Sequence, residues 1–259
     1  MNAMNKLMVM TTSQFERFVQ NRVAQEMMIQ KSSLENDLAQ KQADITYLQN
    51  QINPHFLYNT LECIRGQALS EGMYDLADTV KALGLFFRYN ISIRGTAVSF
   101  EEELKNLKNY ISIQQYRFKN KFTLSVDIDQ DDQPRILACM LPKLCLQPLV
   151  ENAILHAFND ITSGGRVTLK AYLMDENLSI IVADNGSGMS PKQLEKLEYS
   201  IHSEAAGEGQ NHGVGLRNVH QRIQLLFGKE YGLSVKSFAG IGTFVEIFLP
   251  ARTEPFHEE

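Results

Sequence analysis

The 259-residue chain holds only three cysteines, Cys63, Cys139 and Cys145. Their spacing matches no metal-ligand pattern, which excludes a zinc ribbon or finger. Three scattered thiols fit a reducing cytosol, where each serves as a small buried side chain. Positive charge is not in excess: the formal net charge is −5, so nothing electrostatic points to nucleic acid. No apolar run is long enough to cross a bilayer. The opening MNAMNKLMVM has one lysine and no small-residue cleavage site behind an apolar core, so it reads poorly as a signal peptide. The pattern G-x-x-x-x-G-K-[ST] is absent, which excludes a P-loop nucleotide site. Proline and glycine are missing from residue 14 to residue 50.

That last absence marks a long helix, since the stretch is rich in Gln, Glu, Lys, Leu and Ala. Leu34, Leu38, Lys41, Ile45, Leu48 and Ile52 follow alternating spacings of four and three with one polar break. This fits a coiled-coil seam, and also a single amphipathic helix packed on its own domain. The next step of the spacing lands on His55, inside QINPHFLYN. Pro54 removes a helical hydrogen bond and crowds the preceding turn, so it bends the helix and can turn His55 off the seam. Asn59 lies four residues on, hence on the face of His55.

The chain is longer than one ordinary domain, and 44% apolar residues suffice for a packed core. TLECIRGQAL continues the helix, Gly72 marks a turn, and Leu76, Val80, Leu83, Phe87 and Ile91 define a second amphipathic helix. Two such hairpins make a four-helix bundle. A third helix runs from about Phe100 to Phe118, with Ser99 and Glu102 in capping-box positions. The pattern then changes. Phe122, Leu124, Val126 and Ile128 alternate with polar residues, and further strands are predicted at Val167 to Leu173, Leu178 to Ala183, Leu233 to Phe238 and Thr243 to Leu249. Helices are predicted at Leu141 to Phe158, Pro191 to Ser200 and Leu216 to Phe227. The class is α+β, with a mixed sheet and helices on one face.

Three motifs lie in this second half. LVENAILHAF puts Glu151 and Asn152 side by side in a helix, where hard oxygens suit Mg²⁺. In ADNGSGM, Asp184 ends an apolar strand, and Gly186 and Gly188 form a turn that lets backbone approach a ligand. In HGVGLRNV, Gly213 and Gly215 precede a helix whose free N–H groups favour an anion, most often phosphate. Each motif alone also fits a plain loop or cap.

Taken in order with the late Gly240, Gly242 and Thr243, they resemble the GHKL (Bergerat) ATP-binding fold of histidine kinases, gyrase B, Hsp90 and MutL, over about residues 140 to 250. With QINPHFLYN ahead of it, the chain resembles the LytS/YesM type of sensor histidine kinase over about residues 45 to 250. The resemblance implies a helical coiled-coil linker at 1–50, a dimerisation and phosphoacceptor hairpin at 51–120, an α/β sandwich ATP-binding domain at 121–251 and a tail at 252–259. It implies ATP and Mg²⁺ as cofactors. His55 is then the phosphoacceptor and Asn152 the Mg²⁺ ligand. Asp184 accepts from the adenine amino group with support from Thr243, and Gly186 and Gly188 shape the pocket. Gly213, Gly215 and the adjoining Leu216 sit by the phosphates, and residues 189 to 212 form a lid. The partners implied are a second copy of the chain and the receiver domain of a response regulator. The place implied is the cytoplasmic portion of an inner- or plasma-membrane sensor, with any membrane segment outside this chain.

Three further expectations concern roles. Phe56 follows His55 where many histidine kinases have an acid, so the base is unassigned between Glu62 and Glu151. Leu155 replaces a lysine common in this type, leaving Arg217, Lys192 or a lid residue to meet phosphate. Asn59 either supports the Pro54 bend or positions water for dephosphorylation of the regulator. His156 is expected to be a structural or pocket-edge residue, and His202 and His212 to be solvated lid residues. Competing readings are a GHKL ATPase clamp and a non-catalytic nucleotide-binding dimeric adaptor.

Overall fold

The computed structural model describes residues 28, 40, 54–91, 96–157, 163–203 and 213–254. The expected seam from Leu34 to Ile52 and the bend ahead of Pro54 lie outside the described residues. The chain divides into two compact units, Met1–Phe56 and Leu57–Glu259. Among the described residues, no helix is long and apolar enough to cross a membrane.

Helix α1 (Pro54–Ser70) leads to α2 (Tyr74–Ile91). The turn between them is a Schellman motif, with Met73 N–H bonded to Ala68 O at 2.8 Å and Gly72 N–H to Leu69 O at 3.1 Å. Asp75 in the first turn of α2 and Arg88 in its last suit the helix dipole. The Arg88 guanidinium lies 5.4 Å over the Tyr58 ring and ties the helices together.

After β1 (Ala97–Ser99), α3 (Phe100–Arg117) begins with the predicted capping box. Ser99 Oγ accepts from Glu102 N–H at 3.2 Å, and Ser99 N–H donates to Glu102 Oε2 at 3.3 Å. The sequence grouped this helix with the dimerisation hairpin. In the structure Phe100, Leu104, Leu107, Tyr110 and Ile111 belong to the same hydrophobic cluster as the sheet. Phe86 of α2 packs on Tyr110 with ring centroids 5.8 Å apart.

The remaining elements are β2 (Phe122–Ile128), α4 (Gln133–Ala138), β3 (Met140–Pro142), α5 (Leu146–Asn152) with a π-helical turn (Ala153–Ala157), β4 (Gly165–Met174), β5 (Asn177–Asp184), α6 (Pro191–His202), α7 (Val214–Phe227), β6 (Gly232–Phe238) and β7 (Gly242–Pro250). The five-stranded sheet has the order β2-β4-β5-β7-β6. Only the β2–β4 pair in it is parallel. Alternation decides its faces: Val167, Leu169, Leu178, Ile180, Val182, Val245 and Ile247 turn inward and are buried.

Two elements differ from the sequence reading. The helix expected from Leu141 begins at Leu146, because Leu141 and Pro142 pair with Val98 and Ala97 in a short antiparallel ladder. Helix α4 went unpredicted; it is six residues long with proline in its first turn, too short to show a helical period.

Candidate nucleotide site

Asp184 ends β5 and is half-buried. One carboxylate oxygen, Oδ1, accepts from Gly186 N–H at 2.9 Å and from Thr243 N–H at 3.3 Å. The other oxygen takes no hydrogen bond from a described residue. Burial pushes the carboxyl above its usual range, and the two backbone donors oppose that shift without cancelling it. A partly desolvated acceptor with one open oxygen is suited to an uncharged N–H donor on a ligand.

The walls around Asp184 are backbone in close approach. At Gly188, φ is +63° and an added Cβ would stand 2.0 Å from the Phe238 carbonyl oxygen. At Gly242, φ is +140° and an added Cβ would stand 2.0 Å from the Asp184 carbonyl oxygen. Both positions therefore admit only glycine. The DNGSGM loop is locked to the β6–β7 hairpin by Ser237, a residue the motif reading overlooked. Its hydroxyl lies 2.9 Å from Thr243 Oγ1, accepts from Met189 N–H at 2.9 Å and donates to the Gly242 carbonyl at 3.1 Å. A serine outside the recognised pattern gave no signal in the sequence. Asn185 was also overlooked. Its Oδ1 accepts from Arg166 N–H at 2.6 Å and its Nδ2 donates to Gly164 O at 3.1 Å, fixing the loop to the start of β4.

Glu151 and Asn152 end α5 and are half-buried. The helix widens into its π turn directly after them, a distortion found often at functional sites. Leu155 in that turn is 42% exposed. The Glu151 charge, after burial, contributes to raising the Tyr110 phenol, so the two side chains share one electrostatic environment. Gly213 is the N-cap of α7 at φ +88°. A Cβ at Gly215 would stand 3.4 Å from Pro148 Cβ, so α7 lies close beside α5 one turn before Asn152. Leu216 is 2% exposed and packs in the core, which leaves its backbone N–H as its means of meeting a ligand. Thus the structure groups Asp184, Gly186, Gly188 and Thr243 at one end of β5, and Asn152, Gly213 and Gly215 where α5 and α7 meet. Among the described residues there is no cluster of three or more His, Cys, Asp or Glu able to hold a metal ion.

His55 and Asn59 lie one turn apart on α1, and both are exposed. Glu62 pairs with Arg65 at 3.0 Å. Arg217 is half-buried in the first turn of α7 and Lys192 is exposed in the first turn of α6. The side chain of His156, and all of His212, fall outside the described residues. His202 is exposed, as expected of a solvated residue, and it also has a partner. It ends α6, and its Nδ1 lies 3.3 Å from Nε2 of His220 on α7, with the rings edge-on at 88°. His220 Nδ1 accepts from Leu233 N–H at 3.0 Å, so in the neutral ring the proton sits on Nε2 and is donated to His202.

This pair has a pH consequence. Burial first, and His202 second, hold the His220 imidazole below its ordinary value. The folded protein therefore favours neutral His220. The stability this gives is complete above about pH 6.5, the ordinary value for the unfolded chain, and is lost as pH falls below it. The thermal midpoint is expected to drop between about pH 7.5 and 5.5, and His220→Gln to flatten that drop. An equal drop in the variant would assign the pH dependence to other groups.

Both halves of the chain are similar to known proteins. A histidine kinase family model matches residues 43–122. A model for the histidine kinase-, DNA gyrase B- and HSP90-like ATPase matches residues 141–253. The chain is 34% identical to the sensor histidine kinase YesM of Bacillus subtilis, over 87% of this chain and 36% of that protein. It is 34% identical to the sensor protein LytS of Staphylococcus saprophyticus, over 76% of this chain and 32% of that protein. Among solved structures, the histidine kinase domain of the blue-light activated histidine kinase EL346 of Erythrobacter litoralis matches with a TM-score of 0.41 and 22% identity, over 79% of this chain and 89% of that one. A histidine kinase region followed by this kind of ATPase domain is the arrangement of a histidine kinase. The chain belongs to the LytS/YesM type of that family. It spans about a third of the length of these two relatives. Its ATPase domain implies ATP as the ligand.

Proposed function

We propose that the chain is the kinase portion of a two-component sensor, phosphorylating itself on His55 and passing the phosphoryl group to an aspartate of a response regulator. The observation that carries the nucleotide half is Asp184: one oxygen is held by two backbone N–H groups and the other is open to an amino donor. This suits the exocyclic amine of adenine, between the loop of Gly186 and Gly188 and the backbone of Thr243. The first-turn N–H groups of α7, after Gly213, face the phosphates as anion donors. Asn152 offers one hard oxygen. A Mg²⁺ ion held by Asn152 would be bound chiefly through substrate phosphates and water, since the described residues offer no metal-holding cluster of His, Cys, Asp or Glu there. When bound, Mg²⁺ neutralises charge on the phosphates. Glu151 adds a carboxylate next to Asn152.

In the transfer, a neutral imidazole nitrogen of His55 attacks the γ-phosphorus of ATP. An N–P bond forms, the bond from phosphorus to the bridging oxygen breaks, and ADP leaves with that electron pair. The ring then loses the proton on its other nitrogen. A regulator carboxylate oxygen later forms an O–P bond in the same in-line way as the N–P bond breaks, and the ring takes up a proton to restore the histidine. In support of a homodimer, the α1–α2 hairpin exposes Ile64, Leu69, Met73 and Leu85, apolar side chains of the kind a second copy covers.

The test is incubation with γ-labelled ATP and Mg²⁺. The expected product carries acid-labile, base-stable label. Phosphate release without labelling would favour an ATPase clamp, and ATP binding without either a non-catalytic adaptor. Asn59 shares the His55 face, and its proposed role is to orient water for hydrolysis of the phosphorylated regulator. Asn59→Ala is expected to slow dephosphorylation of a phosphorylated receiver domain by about tenfold, as for a lost positioning group, while self-labelling stays near wild type. Unchanged dephosphorylation would leave Asn59 a purely structural role.

A further inference from the structure

The first turn of α3 carries Glu101, Glu102 and Glu103 in a row, and only the third is buried, at 1% exposure. Its carboxylate has a defined task. Oε1 accepts from Leu144 N–H at 2.6 Å, and Oε2 from Cys145 N–H at 3.0 Å and Leu146 N–H at 3.2 Å. The Tyr89 hydroxyl at the end of α2 donates to Oε1 as well. These three N–H groups open α5, whose N-cap, Cys145, supplies no side-chain cap. Glu103 therefore caps a helix it does not belong to, with charge-assisted bonds at the positive end of the dipole. Among the described residues, Glu103 forms no ion pair. Burial first, and Glu103 second among the causes, push the Tyr89 phenol far up, so it stays a donor. Lys143 Nζ lies 4.9 Å over the Tyr89 ring. Arg222 of α7 donates to the Lys143 carbonyl. Residues 143–146 are thus gripped from α2, α3 and α7 at once, and α5 runs from that grip to Glu151 and Asn152.

We infer that Glu103, steadied by Tyr89, is a positioning residue for the metal-nucleotide site: it sets the angle of α5 and so the place of the Asn152 amide oxygen. The inference rests on the reading of Asn152 as the Mg²⁺ ligand. It also gives α2 a direct hold on the ATP site through one hydroxyl. Helix α2 follows the His55 helix in the chain, so a shift of α2 reaches the metal end of the site before the adenine end.

Three affinities separate this role from general support of the fold: ATP with Mg²⁺, ATP with chelator, and adenosine. Each is measured by calorimetry on the full chain for wild type, Glu103→Gln, Tyr89→Phe and Asn152→Ala. Glu103→Gln turns one acceptor into a donor facing N–H groups. It is expected to cut the Mg²⁺ enhancement of ATP affinity by about tenfold, the scale of a lost charged hydrogen bond, with adenosine affinity unchanged. Tyr89→Phe removes one oxygen and is expected to cut it about threefold, the scale of a neutral bond. Should Glu103→Gln fail to fold, the Tyr89→Phe result decides alone. Adenosine affinity falling in step with Mg-ATP affinity would overturn the inference, as would an unchanged Mg²⁺ enhancement. Loss in Asn152→Ala without loss in Glu103→Gln overturns the positioning role and keeps Asn152. Loss in Glu103→Gln without loss in Asn152→Ala removes Asn152 as the ligand, and with it the inference that rests on that reading.

Discussion

The His55→Gln variant is expected to incorporate no label from γ-labelled ATP, while its affinity for ATP stays within about twofold of wild type. The reasoning is local. His55 is exposed in the first turn of α1, in a region matched by the histidine kinase family. A glutamine keeps polarity and similar size but offers no nitrogen lone pair able to attack phosphorus. Helix α1 loses no buried side chain, so fold and nucleotide site are left intact. Filter assays of acid-quenched and base-quenched samples, beside a binding isotherm, check both halves. Label persisting in the variant would move the acceptor to another residue. Loss of ATP binding would show that His55 supports the fold.

Asp184→Asn is expected to lose nucleotide affinity by about a hundredfold without loss of thermal stability. A hydrogen bond to a charged acceptor is worth about 1.5–3 kcal/mol, or roughly ten- to a hundredfold in affinity. The upper end applies because the asparagine NH₂ also turns a donor toward the adenine amine. Stability follows the opposite logic. The carboxyl is raised by burial, so the folded state binds a proton more readily than the unfolded chain. Its ionised form at neutral pH is a cost to the fold that grows as pH rises through that raised value. Asparagine removes the charge and keeps an oxygen for Gly186 N–H and Thr243 N–H. A midpoint equal to or above wild type at neutral pH, with nucleotide binding gone, would identify Asp184 as a residue kept for ligand at the expense of stability. A lower midpoint would mark the carboxylate as a structural acceptor.

Much of the site was legible because its chemistry is written in short runs. Asp184 with its two glycines, Asn152 beside Glu151, and Gly213 with Gly215 each sit within a few residues of one another. The glycines carry a steric reason that survives in the structure: Gly188 and Gly242 stand where a Cβ would strike a carbonyl oxygen at 2.0 Å. The strands were legible for a similar reason, since period-two alternation is a property of the chain itself. What escaped depends on distant pairings. Ser237 matters because β6, β7 and the DNGSGM loop meet at its hydroxyl. His202 is exposed as expected, but its partner is hidden in the sequence until α7 brings His220 to 3.3 Å.

Periodicity, a local property of the chain, therefore determined the class of fold, and motif order carried the family resemblance on which the nucleotide site and the role of His55 are proposed. The tertiary structure decided which members of similar runs do the work. Glu101, Glu102 and Glu103 are one acidic run in sequence, yet Glu102 closes its own helix cap, Glu101 pairs with Lys105 at 2.8 Å, and Glu103 is drawn inside to cap α5. A carboxylate can be buried only where donors converge on it, and the donors for Glu103 lie about forty residues away on another element. Only folding brings them together.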